Sequence, residues 1–388
     1  MTWPQPFRQF ILKIHSRCDL ACSYCYVYTK ADQRWRARPK VMSRELVRTV
    51  SQRIGEHVRA HCLDRVDVVL HGGEPLLAGA DRIADCAAAL RAAVEPAAAV
   101  SLRLQTNAML LNRGMIDVLA RHRIMIGASL DGGPADHDRR RHRPDGSGSH
   151  AAVARALTGL IRGPHRDLFS GLLCTIDLNS DPVATYEALL AFEPPTVDFL
   201  LPHGNWSAPP PAMDGEPAGT PYADWLIAVF DRWCGAPLLE TRIRTFEQIF
   251  GLLMGGRSTV AGLGTEPLVC VVVETDGSIE LSDMLTTAYE GAGATGLHVR
   301  ADSFDAVLRL PAVVASQAGV AGLSAQCRSC RLVRVCGGGL HAHRYRAGSG
   351  FANPSVYCRD LFRLIRHCHD RLVSDVAEWP VAGGQQGK

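Results

Sequence analysis

Residues 10–26 read Phe10-Ile11-Leu12-Lys13-Ile14-His15-Ser16-Arg17-Cys18-Asp19-Leu20-Ala21-Cys22-Ser23-Tyr24-Cys25-Tyr26. The opening of this stretch is a short apolar run, as expected of a strand buried on both faces of a parallel sheet. It passes directly into a C-x3-C-x2-C loop. Three thiolates at a strand's C-terminal end can hold three irons of a 4Fe–4S cube and leave the fourth iron open to a substrate atom. Zinc normally takes four protein ligands, and no fourth partner lies close by. Catalytic loops of α/β barrels sit at the same ends of their strands.

Working outward, further apolar runs rich in Val, Ile and Leu occupy 66–71, 101–105, 124–130, 171–177 and 197–202. Helical patterns separate them. After Ser43, a suitable N-cap, Leu46, Val50, Ile54 and Val58 recur every four residues. Others run near 82–94, 113–121, 150–161 and 182–192. This alternation predicts an α/β fold with a parallel sheet and right-handed crossovers. Six strands suit a partial (β/α)6 TIM-like barrel better than a closed eight-stranded one.

The pattern breaks after residue 205, where Pro209, Pro210 and Pro211 mark a connector, followed by helices near 222–233 and 242–254. From Cys270 onward short strands and glycine turns are expected. The predicted division is therefore 1–205 for the barrel, 206–265 for a helical bridge and 266–375 for a cysteine-bearing C-terminal domain. Residues 376–388 form a Gly- and Gln-rich tail expected to be disordered.

The chain has 388 residues, 47% hydrophobic and 21% charged, with a net charge of +3, which excludes a disordered chain and argues against a polycationic nucleic-acid binder. No apolar run is long enough to span a membrane, and the N-terminus lacks an export signal. A cytoplasmic location with no membrane partner is the expectation. Clustered thiols among the thirteen cysteines then favour metal over disulfides. Cys62, Cys86, Cys174 and Cys234 stand apart and read as buried packing, and the run His137–Arg141 reads as a solvated basic stretch.

The C-x3-C-x2-C loop, with Tyr24 before its last cysteine, resembles the radical S-adenosylmethionine (SAM) superfamily. Further matches follow in that superfamily's order. Gly72-Gly73-Glu74-Pro75 resembles its GGEP element, and Gln105-Thr106-Asn107 its TNG turn, with Ala108 in place of glycine. Ser129-Leu130-Asp131-Gly132 resembles the segment that contacts the SAM ribose and carboxylate. The resemblance implies cluster ligation by Cys18, Cys22 and Cys25, and SAM binding by Gly72, Gly73, Glu74, Asn107, Ser129 and Asp131. A glycine pair would admit the ligand close to the backbone, and Glu74 would accept from its ammonium group. Ser129 and Asp131 would bond sugar hydroxyls or orient neighbouring loops.

Cys327, Cys330, Cys336 and Cys358 resemble the auxiliary-cluster core of SPASM domains, implying a second, fully ligated 4Fe–4S cluster, with zinc the main rival. The fuller SPASM pattern carries two auxiliary clusters. Here Ser282 and Leu340 stand where two of the expected cysteines would be, leaving Cys270 alone for the first auxiliary cluster. Cys368 is an outside candidate ligand, with packing favoured. Asp283 follows Ser282 at the position where sulfatase-maturing relatives place an acid–base aspartate, with turn capping as its alternative role. His203, His341 and His343 are further polar candidates.

The segments 10–18, 32–42, 198–203 and 353–358 resemble FxsB-type radical SAM/SPASM peptide maturases. That resemblance implies an oxidoreductase that makes a 5′-deoxyadenosyl radical and oxidatively crosslinks a ribosomally made (RiPP) precursor peptide. The implied product is a cyclophane, an aromatic ring carbon joined to a Cβ. It also implies a flavodoxin- or ferredoxin-like one-electron reductant. Thioether formation and formylglycine installation are the alternatives. Neither the precursor nor the oligomeric state is legible.

Overall fold

In the computed structural model, residues 4–213, 219–258 and 260–377 are described. Six strands follow one another in parallel: β1 (Gln9–His15), β2 (Arg65–Gly72), β3 (Ala99–Thr106), β4 (Met125–Ser129), β5 (Phe169–Thr175) and β6 (Thr196–Leu200). Helices α1 (Arg44–Ala60), α2 (Ala80–Val94), α3 (Arg113–Arg121), α4 (Pro134–Arg140), α5 (His150–Ile161) and α6 (Pro182–Leu190) fill the crossovers. This is the expected α/β partial barrel. Each strand lies within a few residues of its apolar run.

The chain then adds α7 (Pro221–Cys234), the short strand β7 (Arg242–Ile243) and α8 (Arg244–Leu253). Next come β8 (Cys270–Val273), β9 (Ser278–Glu280) and β10 (Ala294–His298). β8 pairs in parallel with β1, and β9 and β10 follow antiparallel, so one ten-stranded sheet runs β10-β9-β8-β1-β2-β3-β4-β5-β6-β7. The sheet is thus continuous from the first strand into the region after residue 266. A later short helix, α9 (Phe304–Leu308), contacts α1. The helix Cys358–Ala377 packs on α7 and α8.

Local chemistry explains the boundaries. Ser43 accepts from the Leu46 amide and starts α1, and Leu46, Val50, Ile54 and Val58 form its buried face. Asn112 caps α3 and Asp181 caps α6, where Pro182 occupies the first turn. Along β1, Phe10, Leu12 and Ile14 join one apolar cluster with the α1 face, which turns Lys13 toward the opposite face of the sheet. Among the described residues no helix is long and apolar enough to cross a membrane.

Two expectations are corrected. His137 and Arg141 are buried, because α4 turns them inward while Arg139 and Arg140 pair with Asp177 at the rim. Cys62 is exposed at the end of α1 with φ of 49°, whereas Cys86 and Cys174 are buried and Cys234 half-buried. The tail expectation falls mostly outside the described residues. Of that segment, 376 and 377 belong to the final helix and 378–388 lie beyond them.

Candidate functional site

The cysteine loop leaves β1 at the C-terminal end of the barrel and is held there by its neighbours' backbones. Gly73 N donates to His15 O at 2.9 Å, and Glu74 N donates to Arg17 O at 2.9 Å. The glycine pair makes this approach possible. A Cβ at Gly72 would stand 2.0 Å from His15 O, and one at Gly73 would stand 1.8 Å from the Tyr28 hydroxyl. These glycines therefore let the cysteine loop fit closely against β2.

Glu74 is buried and both of its oxygens are engaged. Oε1 accepts from Leu76 N at 2.9 Å and Thr106 Oγ1 at 2.7 Å, and Oε2 accepts from Asn107 N at 2.7 Å. Burial pushes its carboxyl up to about 7, against the pull of these three donors. Glu74 thus staples the end of β2 to the end of β3. Asn107 extends the staple, donating to Asp19 Oδ1 at 2.7 Å and approaching Cys18 Sγ at 3.6 Å. Ala108 adopts a φ of 62°, the left-handed turn that glycine would take at lower cost.

Asp131 is likewise a loop organiser. Its Oδ1 accepts from Thr175 N at 2.9 Å, and its Oδ2 accepts from the Tyr24 hydroxyl. Arg141 Nη1 donates to that same hydroxyl at 2.7 Å. Burial raises the Asp131 carboxyl, and Arg141 opposes the rise. Ser129 Oγ accepts from Gln105 Nε2 at 3.1 Å and is only half-buried. Tyr24 therefore ties the cysteine loop to the fourth and fifth strands.

All thirteen cysteines are free thiols. Burial raises the thiols of Cys18, Cys22 and Cys25. Cys22 adds to the rise at Cys18, and Cys25 to that at Cys22, while Arg141 eases Cys22 and Cys25. Far along the chain, burial pushes Cys336 up to about 11, with Cys358, Cys327 and Cys330 adding to it, and Cys358 is raised by burial and then by Cys327 and Cys330. Gly337, Gly338 and Gly339, with φ of 60°, 78° and 70°, wrap this second group, and Arg344 donates to all three carbonyls.

Asp283 enters the first site from the other end of the sequence. It is buried, and Tyr26, adjacent to Cys25, donates to its Oδ2 at 2.7 Å. Capping of the turn falls to Ser282, whose Oγ accepts from Met284 N at 3.3 Å. Burial opposes the Asp283 charge, yet Lys13 at 4.0 Å, His71, the Tyr26 bond and His203 hold the carboxyl below the ordinary range. His203 stands edge-on to Tyr26 at 4.9 Å and meets His343 Nε2 at 3.2 Å. Burial lowers both imidazoles, His203 to about 4, so both are neutral near pH 7. His341 stacks on Phe351 at 4.3 Å, away from this contact.

Cys270 is half-buried; desolvation, with the charge of Asp283 adding to it, pushes its thiol up to about 12. It joins neither sulfur group. Cys368 neighbours Cys234 between two helices, and His367 bonds Asp231, a packing arrangement. The sequence reading missed the ion network of Lys13, Glu274, Arg38 and Glu280, in which Lys13 and Arg38 each reach Glu274 at 2.9 Å. A lysine within an apolar strand was the available signal, since buried lysines are almost always paired. Tyr24 was noted in the loop, but its role with Arg141 was not foreseen.

Residues 12–162 match the family model described as Radical SAM superfamily. Over 359 residues the chain is 27% identical to the serine-type anaerobic sulfatase-maturating enzyme of Klebsiella aerogenes, covering 89% of this chain and 82% of that protein. Over 382 residues it is 22% identical to the cysteine-type enzyme of Clostridium perfringens, covering 95% of this chain and 98% of that one. Among solved structures, native anSMEcpe with bound AdoMet and Cp18Cys peptide superposes with a TM-score of 0.78 at 20% identity, covering 95% of this chain and 98% of that one. Streptococcus suis SuiB bound to precursor peptide SuiA gives 0.59 at 12% identity, covering 91% and 76%. The structural likenesses concern the fold, and the domain match concerns the cysteine loop and the three strand ends that buttress it. This chain is an enzyme built on a radical SAM domain over residues 12–162, and SAM and 4Fe–4S clusters are its cofactors.

Proposed function

We propose that the chain oxidatively crosslinks side chains of a ribosomally made precursor peptide, joining an aromatic ring carbon to a Cβ, with Asp283 as proton acceptor. The observation that carries this reading is the bond from Tyr26, next to Cys25, to the Asp283 carboxylate. It sets a charged, buried base beside the loop of Cys18, Cys22 and Cys25. In this reading those cysteines ligate the SAM-binding cluster, and Cys327, Cys330, Cys336 and Cys358 ligate an auxiliary one within the cap 266–375.

The donor sets fit clusters better than single ions. A tetrahedral zinc with bonds near 2.3 Å would draw its sulfurs to about 3.8 Å of one another. Among the described residues no group of three or more cysteines has its sulfurs within 4.8 Å of one another. Three free thiols in the loop and four in the cap suit the wider spacing of a polynuclear cluster.

When bound, the cluster and SAM supply a 5′-deoxyadenosyl radical after one-electron reduction. The protein's part is geometric and electrostatic: it holds the target Cβ close, excludes water and receives a proton. Crosslinking removes one hydrogen atom from Cβ, then one electron and one proton as the ring bond forms. Asp283, kept charged by Lys13, is ready to take that proton. The cap cluster would accept the electron, and a flavodoxin- or ferredoxin-like protein would supply the initiating one.

A second reading, formylglycine formation, is favoured by the relatives, whose names describe sulfatase maturation. Both chemistries oxidise Cβ and both need a base. Co-expression with short neighbouring open reading frames, read by tandem mass spectrometry, separates them. A crosslinked peptide loses two hydrogens, resists fragmentation between the joined residues and ignores a hydrazide probe. A formylglycine peptide fragments normally and captures the probe, and that result would replace the first reading.

A further inference from the structure

At the end of the barrel away from the cysteine loop, His57 and His61 lie one turn apart at the close of α1, opposite Asp305 in α9. His57 Nδ1 is 2.7 Å from Asp305 Oδ1, and His61 Nε2 is 2.9 Å from the same oxygen. Among the described residues this is the one group of three or more His, Cys, Asp or Glu side chains whose ligand atoms lie within 4.8 Å of one another.

The proton count at His57 is what asks for a cation. The residue is buried, ringed by Phe7, Phe10 and Phe304 at centroid distances of 5.9, 5.9 and 6.2 Å. Its Nε2 is buried and has no hydrogen-bond partner among the described residues. A neutral imidazole has one N–H. With the proton on Nδ1, Nε2 is a bare buried acceptor. With the proton on Nε2, the Nδ1 lone pair faces a carboxylate oxygen directly. Protonating both nitrogens would pair an imidazolium with Asp305 on one side and set its other N–H, unpartnered, among three phenylalanines.

We propose that His57, His61 and Asp305 form a zinc-class divalent cation site that ties α1 to α9. A cation between the three atoms takes up the Nδ1 lone pair and leaves the His57 proton on Nε2. Two imidazoles and one carboxylate are ordinary zinc donors at about 2.0–2.2 Å, which sets the ligand atoms about 3.3 Å apart. Reaching that spacing from 2.7 and 2.9 Å requires about half an ångström of movement. The side chains of His61 and Asp305 are 28% and 33% exposed, so water can complete a fourth position. The site lies away from the reacting end, so its part is to fasten a barrel helix to the segment that follows β10.

The test uses enzyme with its iron–sulfur clusters already reconstituted. Zinc sulfate is added anaerobically, excess is removed by gel filtration, and zinc is counted and examined by X-ray absorption. The expected result is one zinc per chain with a nitrogen and oxygen shell near 2.0 Å and no sulfur near 2.3 Å. Zinc should raise the melting temperature of the wild type. Asp305→Asn and His61→Ala should each weaken zinc binding at least about 100-fold and abolish that rise, with 5′-deoxyadenosine formation unchanged. No retained zinc, a sulfur shell, or full occupancy in both variants would each overturn the proposal. The wild-type absorption spectrum decides the matter even if a variant folds poorly.

Discussion

Asp283→Asn removes a base while keeping a shape. Tyr26, 2.7 Å from Oδ2, can donate equally to an asparagine carbonyl. Lys13 keeps its partner Glu274 at 2.9 Å, so the substitution strands no buried cation. Ser282 does the turn capping, so that function is untouched. What disappears is the acceptor whose charge Lys13, 4.0 Å away, helps to hold. Loss of a general base typically costs about 10²–10⁴-fold in rate. The assay follows 5′-deoxyadenosine and modified peptide together in one anaerobic reaction. SAM cleavage should persist while modified peptide falls by about that factor. Because the wild-type carboxyl sits below the ordinary range, wild-type product formation should show no acid limb from this group between about pH 5 and 8. Undiminished modification in the Asn variant would refute the assignment and leave Asp283 a structural residue.

Replacing Cys18, Cys22 and Cys25 together with Ala should abolish 5′-deoxyadenosine formation, measured by chromatography, and remove about four irons per chain. Intact reconstituted protein should hold about eight irons, and about twelve, with three spectroscopic species, would contradict the two-cluster reading. Gly73→Ala would drive a methyl group into the Tyr28 hydroxyl and the Arg17 carbonyl, so denaturant unfolding should show a loss of about 1–3 kcal/mol or more, with weaker cluster retention. Glu74, raised by burial to about 7, should stabilise the fold fully below its unfolded value of 4.5 and lose about 3 kcal/mol as pH rises to 7. Glu74→Gln should flatten that dependence in pH-resolved unfolding.

Much of the barrel was legible because its strands are apolar runs bounded by polar turns and its helices carry recognisable caps. The expected 113–121 and 150–161 coincide with α3 and α5, and the six strands shift by only a few residues. Arg141 was misread because a run of basic residues looks solvated in one dimension. Adjacent in sequence, Arg140 pairs with Asp177 at the rim while Arg141 is buried on Tyr24. Glu74 and Asp131 lie at strand ends that the sequence marks, but the amides and hydroxyls of neighbouring strands that they bond are not revealed by spacing alone. The contact between Tyr26 and Asp283 joins positions 257 apart. It depends on β8 pairing with β1 and thereby bringing the chain after Gly277 over the cysteine loop. The His57, His61 and Asp305 group had no sequence signal beyond an i, i+4 histidine pair, because its carboxylate comes from a distant helix.

The most direct test of the central claim places deuterium on the peptide. A precursor labelled at Cβ of the residue to be modified is incubated anaerobically with reconstituted enzyme, SAM and a one-electron reductant. The 5′-deoxyadenosine and the peptide are then weighed by mass spectrometry. One deuterium should appear in 5′-deoxyadenosine for each peptide oxidised, because the radical takes its hydrogen from that carbon. Modified peptide accompanied by unlabelled 5′-deoxyadenosine would contradict hydrogen abstraction at Cβ.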